Sequence, residues 1–82
     1  MPISRATFDL CEWQLHDANQ WAFGLKVRGV IRHRLAEVYY DESSNDPRGG
    51  WRWYANLAPM DRGVSNCLED AVSAAEQALE VI

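Results

Sequence analysis

The chain has 82 residues, which is the size of one domain, and hydrophobic residues make up 48% of it. This composition argues against a disordered chain. Neither a long apolar run nor a basic start leading into an apolar stretch is present, so the sequence predicts no transmembrane helix and no signal peptide and indicates a cytoplasmic protein. The formal net charge is -4.

The first predicted element, residues 7–16 (TFDLCEWQLH), leaves two interpretations open. Phe8, Cys11 and Leu15 would share one face of a helix, whereas Thr, Phe and Trp favour a strand. We expect a strand. A turn is predicted at residues 17–20 (DANQ), because Asp and Asn side chains form hydrogen bonds with their own backbone.

Alternation of apolar residues predicts a strand over residues 21–27 and a hairpin that follows it. A three-residue loop, residues 27–29, fits better than a two-residue loop, which would place Leu25 opposite Arg32 and mix the two faces. The preferred register pairs Leu25 with Ile31, Phe23 with His33 and Trp21 with Leu35. The alternation becomes irregular after Leu35, which predicts a bulge or strong twist.

The second half contains the clearest patterns. Residues 41–50 (DESSNDPRGG) predict a long acidic loop, residues 51–58 (WRWYANLA) a strand and residues 59–65 (PMDRGVS) a loop. Asn66 is expected to cap a helix, with Glu69 three residues later. The apolar residues of this helix recur at helical spacing: Leu68, Ala71, Val72, Ala75, Ala78, Leu79 and Ile82.

These elements predict an α+β fold in a single domain over residues 1–82. Three or four antiparallel strands form a sheet, and the C-terminal amphipathic helix packs on one face of it. The small alanines of the helix allow a close approach to the sheet and leave space for large tryptophan rings.

The opposite face of the sheet is expected to be basic. Residues 26–34 hold four of the eight basic residues and no acidic one. We expect a patch of basic and aromatic side chains on that face, formed by Lys26, Arg32, Arg34, Tyr40, Arg52 and Tyr54. A solvated polar sheet face explains the same pattern equally well.

Catalytic and metal-binding patterns are sparse. His16 and His33 are the only histidines, and His33 falls among core-facing positions, which indicates a structural role. Cys11 and Cys67 lack the spacing of a zinc site or a disulfide framework. The sequence has no glycine-rich phosphate loop and no nucleophile elbow. We therefore expect a protein that is not an enzyme and has no cofactor and no metal.

Binding is the remaining class of function. Tryptophan, tyrosine and arginine are enriched at protein interfaces, so the basic and aromatic patch favours a protein partner. Arginine and tyrosine on a sheet also bind single-stranded RNA, but the net negative charge opposes an approach to phosphate. Homodimerisation through the same face is a further alternative.

The C-terminal third resembles HicB-type antitoxins. The resemblance rests on a strand from Tyr54, then Pro59, Gly63 and Ser65, and then the helix sequence EDAVSAAEQAL. The loop is shorter than in that family and lacks its second glycine. The resemblance implies a protein that neutralises a partner toxin.

By size, acidity and architecture the chain also resembles the anti-CRISPR proteins, small phage-encoded inhibitors of bacterial defence. This resemblance is the leading hypothesis. It implies an inhibitor in the host cytoplasm that occupies a nucleic-acid or subunit-binding surface of a CRISPR effector. Asp41, Glu42 and Asp46 would then replace phosphates against a basic groove, or the arginine and tyrosine face would bind a protein partner.

Overall fold

The computed structural model describes residues 3–43, 45, 47, 49–57, 60–79 and 81. Two helices and five strands lie in this part of the chain: α1 (Arg5–Leu10), β1 (Glu12–Asp17), β2 (Gln20–Val27), β3 (Val30–Tyr40), β4 (Trp51–Ala55), β5 (Asp61–Ser65) and α2 (Leu68–Ala78). The strands form one antiparallel sheet in the order β1-β2-β3-β4-β5. The α+β class and the packed C-terminal helix are confirmed, and the sheet is larger than the three or four strands expected.

The first predicted element is divided between a helix and a strand. Ser4 caps α1, since its hydroxyl oxygen accepts a hydrogen bond from the Thr7 N–H at 3.2 Å. The helix ends before Cys11, whose backbone is extended, and β1 begins at Glu12. The strand prediction is therefore wrong for residues 7–10 and confirmed for residues 12–16. The predicted turn lies at Ala18 and Asn19.

The hairpin between β2 and β3 has a two-residue loop, so the predicted three-residue loop is wrong. Val27 pairs with Val30, and the loop residues Arg28 and Gly29 have φ angles of 54° and 79°. Two positive φ angles match the twist of the flanking strands, which is why such turns close short hairpins. A two-residue loop mixes the two faces only if the register is regular along both arms.

Two irregularities in β3 remove that objection. Phe23 pairs with Ala36 and Gly24 pairs with Arg34, which leaves Leu35 unpaired between them. A second shift follows between Gly24 and Lys26. The irregularity was expected after Leu35, but residues 36–40 pair regularly, and the shifts lie at Leu35 and before it. Together the shifts return apolar side chains to the core face.

Gly24 permits the close approach of β3 at these shifts. A Cβ atom added to Gly24 would overlap the carbonyl oxygen of His33 and would lie 2.9 Å from Cγ2 of Ile31. Further along the hairpin, the Gln14 side-chain amide donates a hydrogen bond to the carbonyl of Gly29 at 3.0 Å. The tip therefore bends back toward β1.

The core lies between α2 and the middle of the sheet. Its sheet side is formed by Phe23, Ala36, Val38 and Ala55, and its helix side by Ala71, Ala75 and Leu79. The two helix alanines have no accessible surface, so the backbone of α2 lies close to the strands. Four half-buried tryptophans surround this contact: Trp13, Trp21, Trp51 and Trp53. The predicted helix stripe is confirmed over the described residues, and Ile82 lies outside them.

The predicted loop over residues 59–65 is wrong from Asp61 onward, where β5 pairs with β4. Gly63 lies beneath the indole of Trp53, because an added Cβ would be 2.6 Å from the ring nitrogen. β4 ends at Ala55, earlier than expected, and Ala58 lies outside the described residues. Pairing with a neighbour outweighs the weak strand propensity of β5.

The start of α2 differs from the prediction by one residue. Cys67 occupies the N-cap position instead of Asn66, and its side chain makes no capping hydrogen bond. β5 ends at Ser65, and Asn66 and Cys67 connect it to the helix. Glu69 and Asp70 lie in that turn, near the positive end of the helix dipole. In the described part of the chain, neither helix has the length and hydrophobicity needed to cross a membrane.

Candidate functional site: the open face of the sheet

The face of the sheet opposite α2 carries two adjacent rows of side chains. α2 packs against β3, β4 and β5 through the core residues, so the alternate residues of those strands point the other way. One cross-strand row is formed by Glu37, Tyr54 and Arg62, and the next by Tyr39, Arg52 and Val64. We call these six residues the open face.

A pair of tyrosines occupies the centre of the open face. The rings of Tyr39 and Tyr54 are stacked, with centroids 5.8 Å apart and planes 7° from parallel. Their hydroxyl oxygens are 3.2 Å apart and share a hydrogen bond. This hydrogen bond and partial burial raise the pKa of Tyr39 above its ordinary value. Each ring thus fixes the position of the other.

Arg52 lies beside this pair and is tied to the acidic loop. Its Nε donates to Oδ2 of Asp41 at 2.9 Å. Oδ1 of Asp41 accepts hydrogen bonds from the hydroxyl and the N–H of Ser43, at 2.7 and 3.0 Å. The hydrogen bond from the Ser43 hydroxyl is the largest cause, and the one from Arg52 the next, of a pKa of Asp41 that lies below its usual value. The carboxylate is therefore committed to contacts within the chain.

A second charged group lies at the other end of the face. Arg34 donates to Oε1 of Glu37 at 2.8 Å, and the Asn56 side-chain amide lies 3.2 Å from both Oε2 of Glu37 and the carbonyl of Arg34. The Asn56 N–H also donates to the carbonyl of Leu35. Arg34 thus reaches the region as predicted, but its charge is balanced there.

The remaining predicted residues are dispersed. Lys26 pairs with Glu12 at 2.6 Å, near the bent hairpin. Tyr40 points to the helix side, where its ring meets Trp51 edge to face at 5.1 Å, so its predicted place in the patch is wrong. Arg32 is exposed and lines a separate cleft beside α1. Glu42 is exposed, and Asp46 lies outside the described residues.

His33 is also placed differently from the prediction. It was expected to face the core opposite Phe23, but it is exposed, and Ala36 takes that position. The cause is the pair of register shifts in β3. A structural role for this histidine in the core is therefore excluded.

Sequence reasoning missed four members of the open face: Glu37, Tyr39, Arg62 and Val64. Arg62 was overlooked because its segment was predicted to be a loop. It is exposed and forms no ion pair with any described residue. Together with Arg52, Tyr54 and Val64, it lines a depression of about 360 Å³. The signal that could have located Arg62 is the pairing of β5 with β4. Once the two strands pair, Arg62 lies opposite Tyr54 and on the same face of the sheet.

These features define a small α+β protein with a five-stranded antiparallel sheet, one face covered by α2 and the other bearing tyrosine and arginine. No family model, curated protein or solved structure matches the chain. The side chains themselves are therefore the guide to function. Among the described residues, no cluster of three or more potential metal ligands forms.

Proposed function

We propose that this chain is a non-enzymatic inhibitor that binds a protein partner stoichiometrically through the open face. The observation that carries the proposal is the stacked pair of Tyr39 and Tyr54, with Arg52 on one side and Arg62 near Tyr54. Tyrosine and arginine, together with tryptophan, are enriched among the residues that dominate binding energy at protein interfaces.

The arrangement lowers the cost of ordering side chains on binding. The shared hydrogen bond holds both phenol rings, and Asp41 holds the guanidinium of Arg52. Immobilising a flexible side chain at an interface costs about 0.5–1.5 kcal/mol, so groups that are already fixed bind more favourably. These three side chains are fixed by contacts within the chain.

Balanced charges favour a protein partner over a nucleic acid. Arg34, Arg52 and Lys26 each form an ion pair within the chain. Nucleic-acid affinity depends largely on cations that neutralise phosphates, and the chain as a whole carries a net charge of -4. The open face therefore supports aromatic and hydrogen-bonding contacts better than a strong positive field.

The proposed partner is a CRISPR effector in the host cytoplasm, so that the chain would act as an anti-CRISPR protein. This finer proposal rests on the resemblance in size, acidity and architecture. The open face would cover a subunit-binding or nucleic-acid-binding surface of the effector. Asp41 is engaged by Arg52, so the exposed Glu42 is the described loop acid best placed to imitate a phosphate.

The test is capture of the partner by tagged protein, followed by measurement of affinity with purified components. Tyr54→Ala is the test variant and Tyr40→Ala the control, since Tyr40 lies on the other side of β3. We expect Tyr54→Ala to cost about 2 kcal/mol or more of binding free energy and Tyr40→Ala to cost little. Circular dichroism should show that both variants fold.

Three results would oppose the proposal. They are equal binding by the two variants, loss of binding only in Tyr40→Ala, and recovery of nothing beyond chaperones. The identity of the captured protein tests the finer proposal. A multisubunit effector supports the anti-CRISPR assignment, whereas a single small toxin would support the HicB-type alternative.

A further inference from the structure

We propose that the cleft between α1 and the β2–β3 hairpin is a second binding site, for a medium-chain fatty acid. The cleft has a volume of about 370 Å³, at the lower end of the usual range for small-molecule sites. It lies on the α1 side of the hairpin and shares no residue with the open face. The inference is therefore independent of the proposed function.

The walls of the cleft are mainly apolar. They are formed by Ile3 before α1, Leu25 and Val27 of β2, Leu35 of β3 and Leu57 after β4. Leu25 and Val27 are 41% and 48% exposed, so apolar surface that faces the cleft is in contact with water. Covering this surface with a hydrocarbon chain is favourable by the hydrophobic effect.

The polar groups of the cleft select an anion. Arg32 is exposed and forms no ion pair with any described residue, and none of the described residues that line the cleft is acidic. A guanidinium binds a carboxylate through two parallel hydrogen bonds. Ser4 and Thr7 are hydrogen-bonded to each other at 2.9 Å, and His33 also lines the cleft. Arg32 is the described lining residue with a permanent positive charge, so it is the group that would hold the head of the ligand.

The register shift in β3 places Arg32 at this position. Lys26 pairs with Ile31 and Gly24 with Arg34, so that both Arg32 and His33 lie opposite Leu25. Extra residues in a strand redirect side chains from their regular alternation. The irregularity thus puts a cation beside an apolar cleft.

A fatty acid fits this site better than a peptide. A peptide would bring amide groups into the cleft, and unsatisfied buried amides are costly. Among the described lining residues, the five apolar ones offer an amide no partner, so a peptide would depend on the four polar ones, Ser4, Thr7, Arg32 and His33, whereas an alkyl chain needs none of them. The occupant is therefore an unbranched alkyl chain that ends in a carboxylate.

The experiment is an NMR titration of the isotopically labelled full chain with octanoate. We expect saturable shifts confined to residues 3–7, 25–35 and 57. Octylammonium, which has the same chain and the opposite charge, should bind at least about tenfold more weakly. Arg32→Gln should weaken octanoate binding about tenfold, and Arg62→Gln, an equal loss of charge on the open face, should leave it unchanged.

Four outcomes would overturn the inference. The first is the absence of localised, saturable shifts, and the second is shifts centred on Tyr54 and Arg62. The third is that octylammonium binds as tightly as octanoate, or that Arg32→Gln binds octanoate as tightly as the wild-type chain does. The fourth is tighter binding of N-acetyl-leucyl-leucine than of octanoate, which would assign the cleft to the C-terminus of a partner protein. Only the second outcome concerns the open face, and the other three leave binding through that face untouched.

Discussion

The hydroxyl oxygens of Tyr39 and Tyr54 lie 3.2 Å apart, and their rings are nearly parallel, on the face of the sheet opposite α2. The two residues are diagonal neighbours, since Tyr39 pairs with Arg52 and Tyr54 pairs with Glu37. Diagonal aromatic side chains on adjacent strands are within contact distance. The pair is thus a direct product of the β3–β4 register, and it can be tested by titration.

Tyr54→Phe should lower the pKa of Tyr39 toward the ordinary tyrosine value of about 10. The hydrogen bond with Tyr54 is the largest cause of the raised pKa, ahead of burial. Phenolate absorbance against pH measures it, and Tyr40→Phe is the control. Because the folded-state pKa is raised, the stability that it provides is present below pH 10 or so and is lost as pH rises through the folded-state value. An unchanged midpoint in Tyr54→Phe would contradict the assignment.

Asp41→Asn should reduce stability at neutral pH and have little effect in acid. Contacts with Ser43 and Arg52 lower the pKa of Asp41 in the folded state. The stability from this group is therefore present above the unfolded value of about 3.9 and is lost as pH falls through the folded-state value. Melting temperatures from pH 2 to 7 or so measure this, with Glu42→Gln as control. A difference from wild type that persists at the lowest pH would refute it.

Glu76→Ala should destabilise the fold by about 1–2 kcal/mol. The ring N–H of Trp13 donates to Oε1 of Glu76 at 2.9 Å, which ties the edge strand β1 to α2. Glu76→Gln keeps an acceptor oxygen and should lose less. Urea unfolding followed by tryptophan fluorescence compares the two variants. Equal losses would show that the hydrogen bond to Trp13 contributes little.

Gly24→Ala should destabilise the fold by about 1–3 kcal/mol. The new methyl group would meet the backbone of His33 and the side chain of Ile31. Gly29→Asn is the control, since no atom lies within 4 Å of an added Cβ there and asparagine tolerates positive φ. Denaturant midpoints measure both. A tolerated alanine at position 24 would mean that β3 lies further away.

Arg28→Asn should stabilise the hairpin by about 0.5–1 kcal/mol. Arg28 has a φ angle of 54°, a left-handed conformation that asparagine adopts more readily than arginine or alanine. Arg28→Ala removes the same charge and should not stabilise the fold, so it is the matched control. If the two variants are equally stable, the two-residue loop is not the conformation in solution.

The resemblance to anti-CRISPR proteins and to HicB-type antitoxins stays a hypothesis about function. The location of the candidate residues is a separate matter. Arg52 and Tyr54 were predicted to share a face, and they do, because alternation along β4 is a local property. Tyr40 and Arg32 were assigned to the same face and lie elsewhere, because their placement depends on irregular pairing in β3.

The sequence by itself determined the α+β class, the alternation of β4 and the apolar stripe of α2. Each of these follows from the spacing of side chains along one element, which local pattern records directly. Asp41 and Arg34 were also recognisable as charged candidates, although their ion pairs were not.

Only the tertiary structure decided the hairpin register, the existence of β5 and the ion pairs that balance the charges of the open face. The bulges in β3 depend on how closely it approaches Gly24, and β5 forms because it pairs with β4. Ion pairs such as Arg52 with Asp41 join residues brought together by folding. Such contacts between elements depend on three-dimensional packing, which the order of residues in a single chain does not display.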